Sequence, residues 1–138
     1  MTSNDALCNA LAKCIVERDF PGAHALLAPW YRSRLSVGDI ERMVDEASEG
    51  QTHPPHGWSV DQGVVELGDL RGPDAYGPPS KGLSKEITDD NFRGWLSIQF
   101  VPDPAVQEEQ NVCFDLWLAT IEHRGDFQIG YLEAAEAT

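Results

Sequence analysis

The spacing of apolar residues changes once along this chain, and that change limits the folds open to it. Between Ser36 and Gly50, Ile40, Met43, Val44 and Ala47 recur at i, i+3, i+4 and i+7, one face of a helix. From Trp95 onward the period drops to two, with Leu96, Ile98 and Phe100 alternating against Trp95, Ser97, Gln99 and Val101. Helical segments grouped first and strands grouped later predict an α+β fold, because a parallel sheet would need helices interleaved between its strands. Three N-terminal helices should therefore pack on one face of a curved antiparallel sheet.

Local signals set the boundaries. Asn4 or Asp5 caps a first helix over 5–18 that carries Leu7, Leu11, Cys14 and Ile15. Pro21 suits the first turn of a second, which runs through Ala23, Leu26 and Leu27 to about Trp30, where Pro29 ends it. Ser36, with Asp39 three residues on, opens the third, and Gly50 stops it. Strands are predicted at 58–67, 95–101, 112–121 and 127–132, the last two joined by a hairpin at His123-Arg124-Gly125-Asp126. The stretch 68–93, rich in Gly and Pro, should be irregular and surface-lying, folded across a pocket mouth, with 88–91 capping at most one short turn. Leu11, Ile15, Leu27, Ile40, Val44, Leu96, Ile98, Phe100 and Leu118 form the expected core.

A length of 138 residues suits one domain, 1–138, which buries roughly two thirds of the surface its unfolded chain exposes. The chain carries 10 basic and 23 acidic residues, a net charge of -13. That balance argues against nucleic acid and against anionic membrane surfaces as partners. It serves solubility, or it captures a basic protein partner. No window approaches the roughly 20 apolar residues of a membrane span, and the start, Met1 to Asp5, is polar. Three cysteines without a C-x-x-C read as reduced thiols, so a cytoplasmic location is expected.

Val16-Glu17-Arg18-Asp19-Phe20, followed by Ala23 and then Leu26-Leu27, resembles the opening helical segment of NTF2-like proteins. The later order of a third helix and long hairpin strands is similar to that superfamily as well. The resemblance implies a cone-like fold that encloses a pocket, frequent homodimers, and no single activity, since its members include ketosteroid isomerase, dehydratase-like enzymes, transport factors and immunity proteins. The isomerase pattern puts a Tyr on the first helix, whereas the first Tyr here is Tyr31.

Few residues stand out for chemistry. Asp115 lies mid-strand among Phe114, Leu116 and Trp117, where burial would raise a carboxyl toward acid–base use; otherwise it faces water or pairs across the strands. Tyr131, on the neighbouring strand, either bonds a pocket ligand or rims the core. A one-residue shift of the hairpin decides whether these two share a face. Tyr76, in the irregular stretch, and Trp117 are the candidate ligand-binding aromatics. His53-Pro54-Pro55-His56 holds two imidazoles, but its prolines forbid the helix that would aim both at one ion, so no metal site is expected. Nucleotide, dinucleotide, serine-hydrolase and zinc-protease motifs are missing, and no cofactor is expected.

The expected role is a homodimeric NTF2-like domain that binds a small apolar ligand. The alternatives are an isomerase, dehydratase or hydrolase using a pocket carboxylate, and an acidic immunity-type protein that binds a basic partner. The dimer would form through the sheet face carrying Trp95, Ser97, Gln99, Val101, Cys113, Asp115, Trp117 and Ala119, which mixes large aromatics with small and polar groups. The competing expectation is that stretch 68–93 covers this face within one chain.

Overall fold

A computed structural model describes residues 1–63, 66–71, 79 and 82–136. Helices α1 (Asn4–Val16), α2 (Phe20–His24), α3 (Pro29–Arg32) and α4 (Val37–Ala47) come first. Strand β1 (Gly57–Gly63), helix α5 (Leu67–Arg71) and strands β2 (Phe92–Val101), β3 (Phe114–His123) and β4 (Asp126–Glu136) follow. The four strands form one antiparallel sheet in the order β1-β2-β3-β4. The fold is α+β, with α1 to α4 grouped before the sheet and α5 between its first two strands.

Both long helices start at a serine cap, although at α1 the cap is Ser3 and the expected Asn4 and Asp5 lie inside the helix. The Ser3 hydroxyl accepts from the Ala6 amide at the head of α1. At α4 Ser36 and Asp39 satisfy each other's backbone amides, at 3.1 Å and 2.9 Å, so the sequence signal is a complete capping box. Against expectation, the second helix is two short ones. Helix α2 ends at His24, and Leu27 forms a parallel bridge to Ile129 instead of extending it. Pro29 then starts α3 rather than ending its predecessor.

One sheet face meets the helices. Leu96, Ile98, Phe100, Phe114, Leu116 and Leu118 bury against Leu7, Leu11 and Ile15 of α1 and Ile40 and Val44 of α4. All nine expected core residues are buried. At roughly 25 cal/mol per Å² of apolar surface, this contiguous layer is the main source of stability.

The other face differs. The first strand ends at Gly63, four residues earlier than expected, and Leu67 opens helix α5 instead of ending a strand. Leu67, Leu70 and Ile87 pack on Trp95, Ala119, Ile121 and Tyr131, so part of the stretch 68–93 is not surface-lying but caps this face within the chain. Its last residues, Phe92 and Arg93, already belong to β2. Residues 82–91 are free of helix and strand; Thr88 and Asn91 close a turn with mutual bonds of 2.8 Å and 3.3 Å.

Two irregularities fix which side chains face which way. The β3–β4 turn has Arg124 at φ 53° and Gly125 at φ 80°, the two left-handed residues of a tight hairpin. Register then shifts between Ala119 and Thr120, leaving Gly130 as the extra residue of a bulge. A β-carbon at Gly130 would lie 3.1 Å from Ile87 Cδ1 and 3.3 Å from Ile121 Cγ2, so glycine lets the α5 side close down on the sheet.

Candidate functional site

Strand β4 is one edge of the sheet, and the described residues cover its outward backbone groups only partway. The Phe127 amide donates to the Met1 carbonyl, and Ile129 exchanges bonds with Leu26 and Ala28. The Tyr31 hydroxyl then accepts from the Leu132 amide at 3.0 Å and lies 3.4 Å from the Leu132 carbonyl. Beyond Leu132 no described residue bonds to this edge.

A cleft of about 840 Å³ opens there. The far half of β4 forms its floor, α4 one wall and residues 82–84 the other, with Tyr31 and Arg34 at one end. Leu35, Met43, Ala47 and Leu83 supply apolar lining. Asp39, Arg42, Glu46, Glu133 and Glu136 supply charge, so the lining is mixed rather than apolar. A volume in this range is usual for a ligand site.

Two arginines shape the cleft, and both are engaged. Arg34 holds Glu86 through two bonds, of 2.6 Å and 3.1 Å, and Ser84 through a third of 2.9 Å. That fork pins the 82–86 wall to the α3–α4 junction. It also holds the Glu86 carboxyl below its ordinary range and the Arg34 guanidinium above its own. Arg42 bonds Asp39 at 3.0 Å. The Ser36 amide and hydroxyl hold the Asp39 carboxyl low, with Arg42 adding to them.

Aromatic rings run from the cleft across the second sheet face. Tyr31 stacks on Tyr131 with centroids 6.5 Å apart, Tyr131 meets Trp95 at 6.0 Å, and Trp95 stacks on Trp117 at 5.9 Å. The Tyr131 hydroxyl donates to Glu133 on the cleft floor. Burial pushes the Tyr31 phenol up, the bond to the Leu132 backbone opposes that, and Glu133 adds to the rise.

The candidate residues fare differently. Asp115 and Tyr131 share the second face, which answers the question of register, but they are not brought together. Tyr131 stands opposite Ala119 and Asp115 opposite Ala135. Four residues of strand, about 13 Å, therefore separate them along the sheet, with Trp117 and Glu133 between. Asp115 lines no part of the cleft; it is half-buried on the open half of the second face, and desolvation raises its carboxyl. Tyr131 does line the cleft. Trp117 is half-buried beside it on the sheet, and Tyr76 lies outside the described residues. His53 pairs with Glu109 at 2.9 Å and His56 with Asp103 at 3.8 Å, the two imidazoles facing different carboxylates. Among the described residues no three His, Cys, Asp or Glu side chains gather as a metal site needs.

Arg34, Leu35, Met43, Glu46 and Leu83 carried no motif that would single them out. They come from three separate segments, and only the closing of residues 82–87 onto Tyr131 makes them neighbours. The capping box at Ser36 was the nearest available signal, since it fixes the direction of the α4 wall. No family model, curated protein or solved structure matches the chain.

Proposed function

We propose that this chain is an NTF2-like binding domain whose ligand occupies the cleft between α4, β4 and residues 82–84. The carrying observation is the cleft itself: about 840 Å³, with a stacked tyrosine pair at its end and a wall pinned by the Arg34–Glu86 fork. The superfamily reading rests on the order of elements, helices first and then an antiparallel sheet whose strands are bent by a bulge at Gly130. The ligand lays apolar groups on Leu35, Met43 and Leu83 and meets charge at the rim. No described helix is long and apolar enough to cross a membrane, and the three cysteines are unbridged, which suits a reducing cytoplasm.

The test is saturation-transfer NMR with a collection of small amphipathic molecules and short peptides, repeated on Met43→Trp, which fills the cleft. Binding should be saturable in the wild type and lost in the variant. Hits that persist undiminished in Met43→Trp would sink the cleft as the site.

Homodimerisation belongs to the same reading. The half of the second face that α5 leaves open keeps Trp117 only half-buried beside Ser97, Gln99 and Asp115. An aromatic among polar groups is the usual make-up of a subunit contact. Sedimentation should give twice 15.2 kDa for the wild type and one chain for Trp117→Arg, which would bury an unpaired charge. A wild-type mass of one chain at high micromolar concentration refutes the dimer.

A second reading rests on the Tyr131–Glu133 contact, a phenol and a carboxylate joined on the cleft floor. Such a pair has the composition of a general acid–base site. Turnover of a bound molecule that Glu133→Gln abolishes without loss of binding would favour it.

A further inference from the structure

The end of edge cover at Leu132 has a chemical counterpart in the charge of the cleft. Leu132 directs both its amide and its carbonyl away from β3, toward Tyr31. Antiparallel pairing alternates, so Ala134 and Glu136 direct theirs the same way, into the cleft. Neither backbone has a partner among the described residues. An uncovered strand edge is a template for another strand, and proteins normally block it. Among the described residues the block ends where the cleft begins.

We propose that the ligand of this cleft is a short, extended, basic peptide segment that pairs with Ala134 and Glu136 as a fifth strand. The proposal rests on the cleft being a binding site and names what fills it. A strand in that position sends alternate side chains to opposite sides, one set toward Met43 and Ala47 of α4, the other toward Leu83 and Tyr131. The sign of the charge follows from the rim. Asp39, Glu46, Glu133 and Glu136 face two arginines, and those are taken by Glu86 and Asp39. Among the described residues Glu46 and Glu136 form no ion pair, and Glu49 adds to the acidic surface just past α4, whereas Glu41 and Asp45 on its outer side are paired with Arg18. Against a whole-chain charge of -13, an acidic peptide would be repelled and lysine or arginine side chains attracted. Tyr31 closes one end, so the added strand is short and its affinity modest.

The experiment titrates the protein into fluorescein-labelled hexapeptides: one set alternating Lys or Arg with Val or Leu, one alternating Glu with the same apolar residues. A third set copies the basic peptides with N-methyl groups on alternate amides. The basic set should bind saturably and weaken as salt rises, while the acidic set should not bind. N-methylation in one of its two phases should cost at least tenfold, because it deletes the donors that pair with the edge. Ala134→Pro provides the matching change in the protein: its amide points away from β3, so the ladder survives while an edge donor is lost. It too should weaken binding at least tenfold, and Glu46→Lys should weaken the basic set alone. No saturable peptide binding up to millimolar concentration overturns the proposal, as does equal binding by both N-methyl phases. If small molecules still bind and Met43→Trp blocks them, the cleft stands as a site and only the peptide is lost. If nothing binds, both readings fail.

Discussion

The two faces of the sheet are covered by different kinds of structure. On one, α1 and α4 lie across the strands with regularly spaced apolar stripes, and Leu96, Ile98, Phe100 and Leu118 beneath them are wholly buried. On the other, a five-residue helix and an irregular segment press Leu67, Leu70 and Ile87 onto half of the surface and leave Ser97, Gln99 and Asp115 less covered. Repeated helical turns couple the contacts of the first cover to one another, whereas the described part of the second is a short helix and an irregular segment. The face built from periodicity should be the stable scaffold, and the face built from loops the part that opens first.

The largest expected effect separates them by truncation. Leu118→Ala should lower unfolding stability by about 2–5 kcal/mol, while Ile87→Ala should fall at the low end of that range because its neighbours are free to settle. Urea titration measures both. Equal losses would mean that the two covers unfold as one core. Native-state hydrogen exchange sharpens the same contrast: the Ile87 amide, bonded to the Ser84 carbonyl, should exchange through a local opening well before amides of α1.

Gly130 links the two faces. Gly130→Ala should cost about 1–3 kcal/mol, since its new methyl must displace Ile87 or Ile121. Adding Ile87→Val should recover part of that loss. Full additivity of the two changes would show that the bulge and the cover are not in contact.

The smallest effects are on pH. Desolvation raises the Asp115 carboxyl, so its contribution is complete below the unfolded value and disappears as pH climbs through the raised folded value. Asp115→Asn should therefore be more stable than wild type at neutral pH and lose that advantage in acid. Asp39 runs the other way. Ser36 lowers its carboxyl, so its contribution exists above the unfolded value and is lost as pH falls through the lowered folded one. Asp39→Asn should weaken the protein at neutral pH and not in acid. Thermal melts across about pH 2–7, the span of carboxyl titration, check both signs.

Much of the scaffold face could be read from the chain. Ile40, Val44 and Ala47 carry their own period, Ser36 and Asp39 their own cap, and Leu96 to Phe100 their own alternation, because each of these is a local property. The second face was harder for a physical reason. Leu27 leaves its helix to bridge Ile129, more than a hundred residues away, and no local preference records such a partner. The side Tyr131 takes depends on the extra residue at Gly130, which reverses every assignment beyond it. Asp115 was legible as an unusual carboxyl and Tyr131 as an unusual phenol, but their separation follows from register alone. Most of the cleft was not legible, since Arg34, Met43 and Leu83 meet only in three dimensions.

The Tyr31 hydroxyl, which occupies both backbone groups of Leu132, also bears on how these molecules behave when crowded. A phenol in that place answers an amide and a carbonyl as a neighbouring strand would, yet offers no further row for another chain to join. It acts as a terminator of polymerisation along the sheet edge. Tyr31→Phe would leave the ring stacked on Tyr131 while extending the exposed row from Ala134 and Glu136 back to Leu132. Concentrated solutions of that variant should nucleate fibrils sooner than the wild type, even though scarcely any packing has changed.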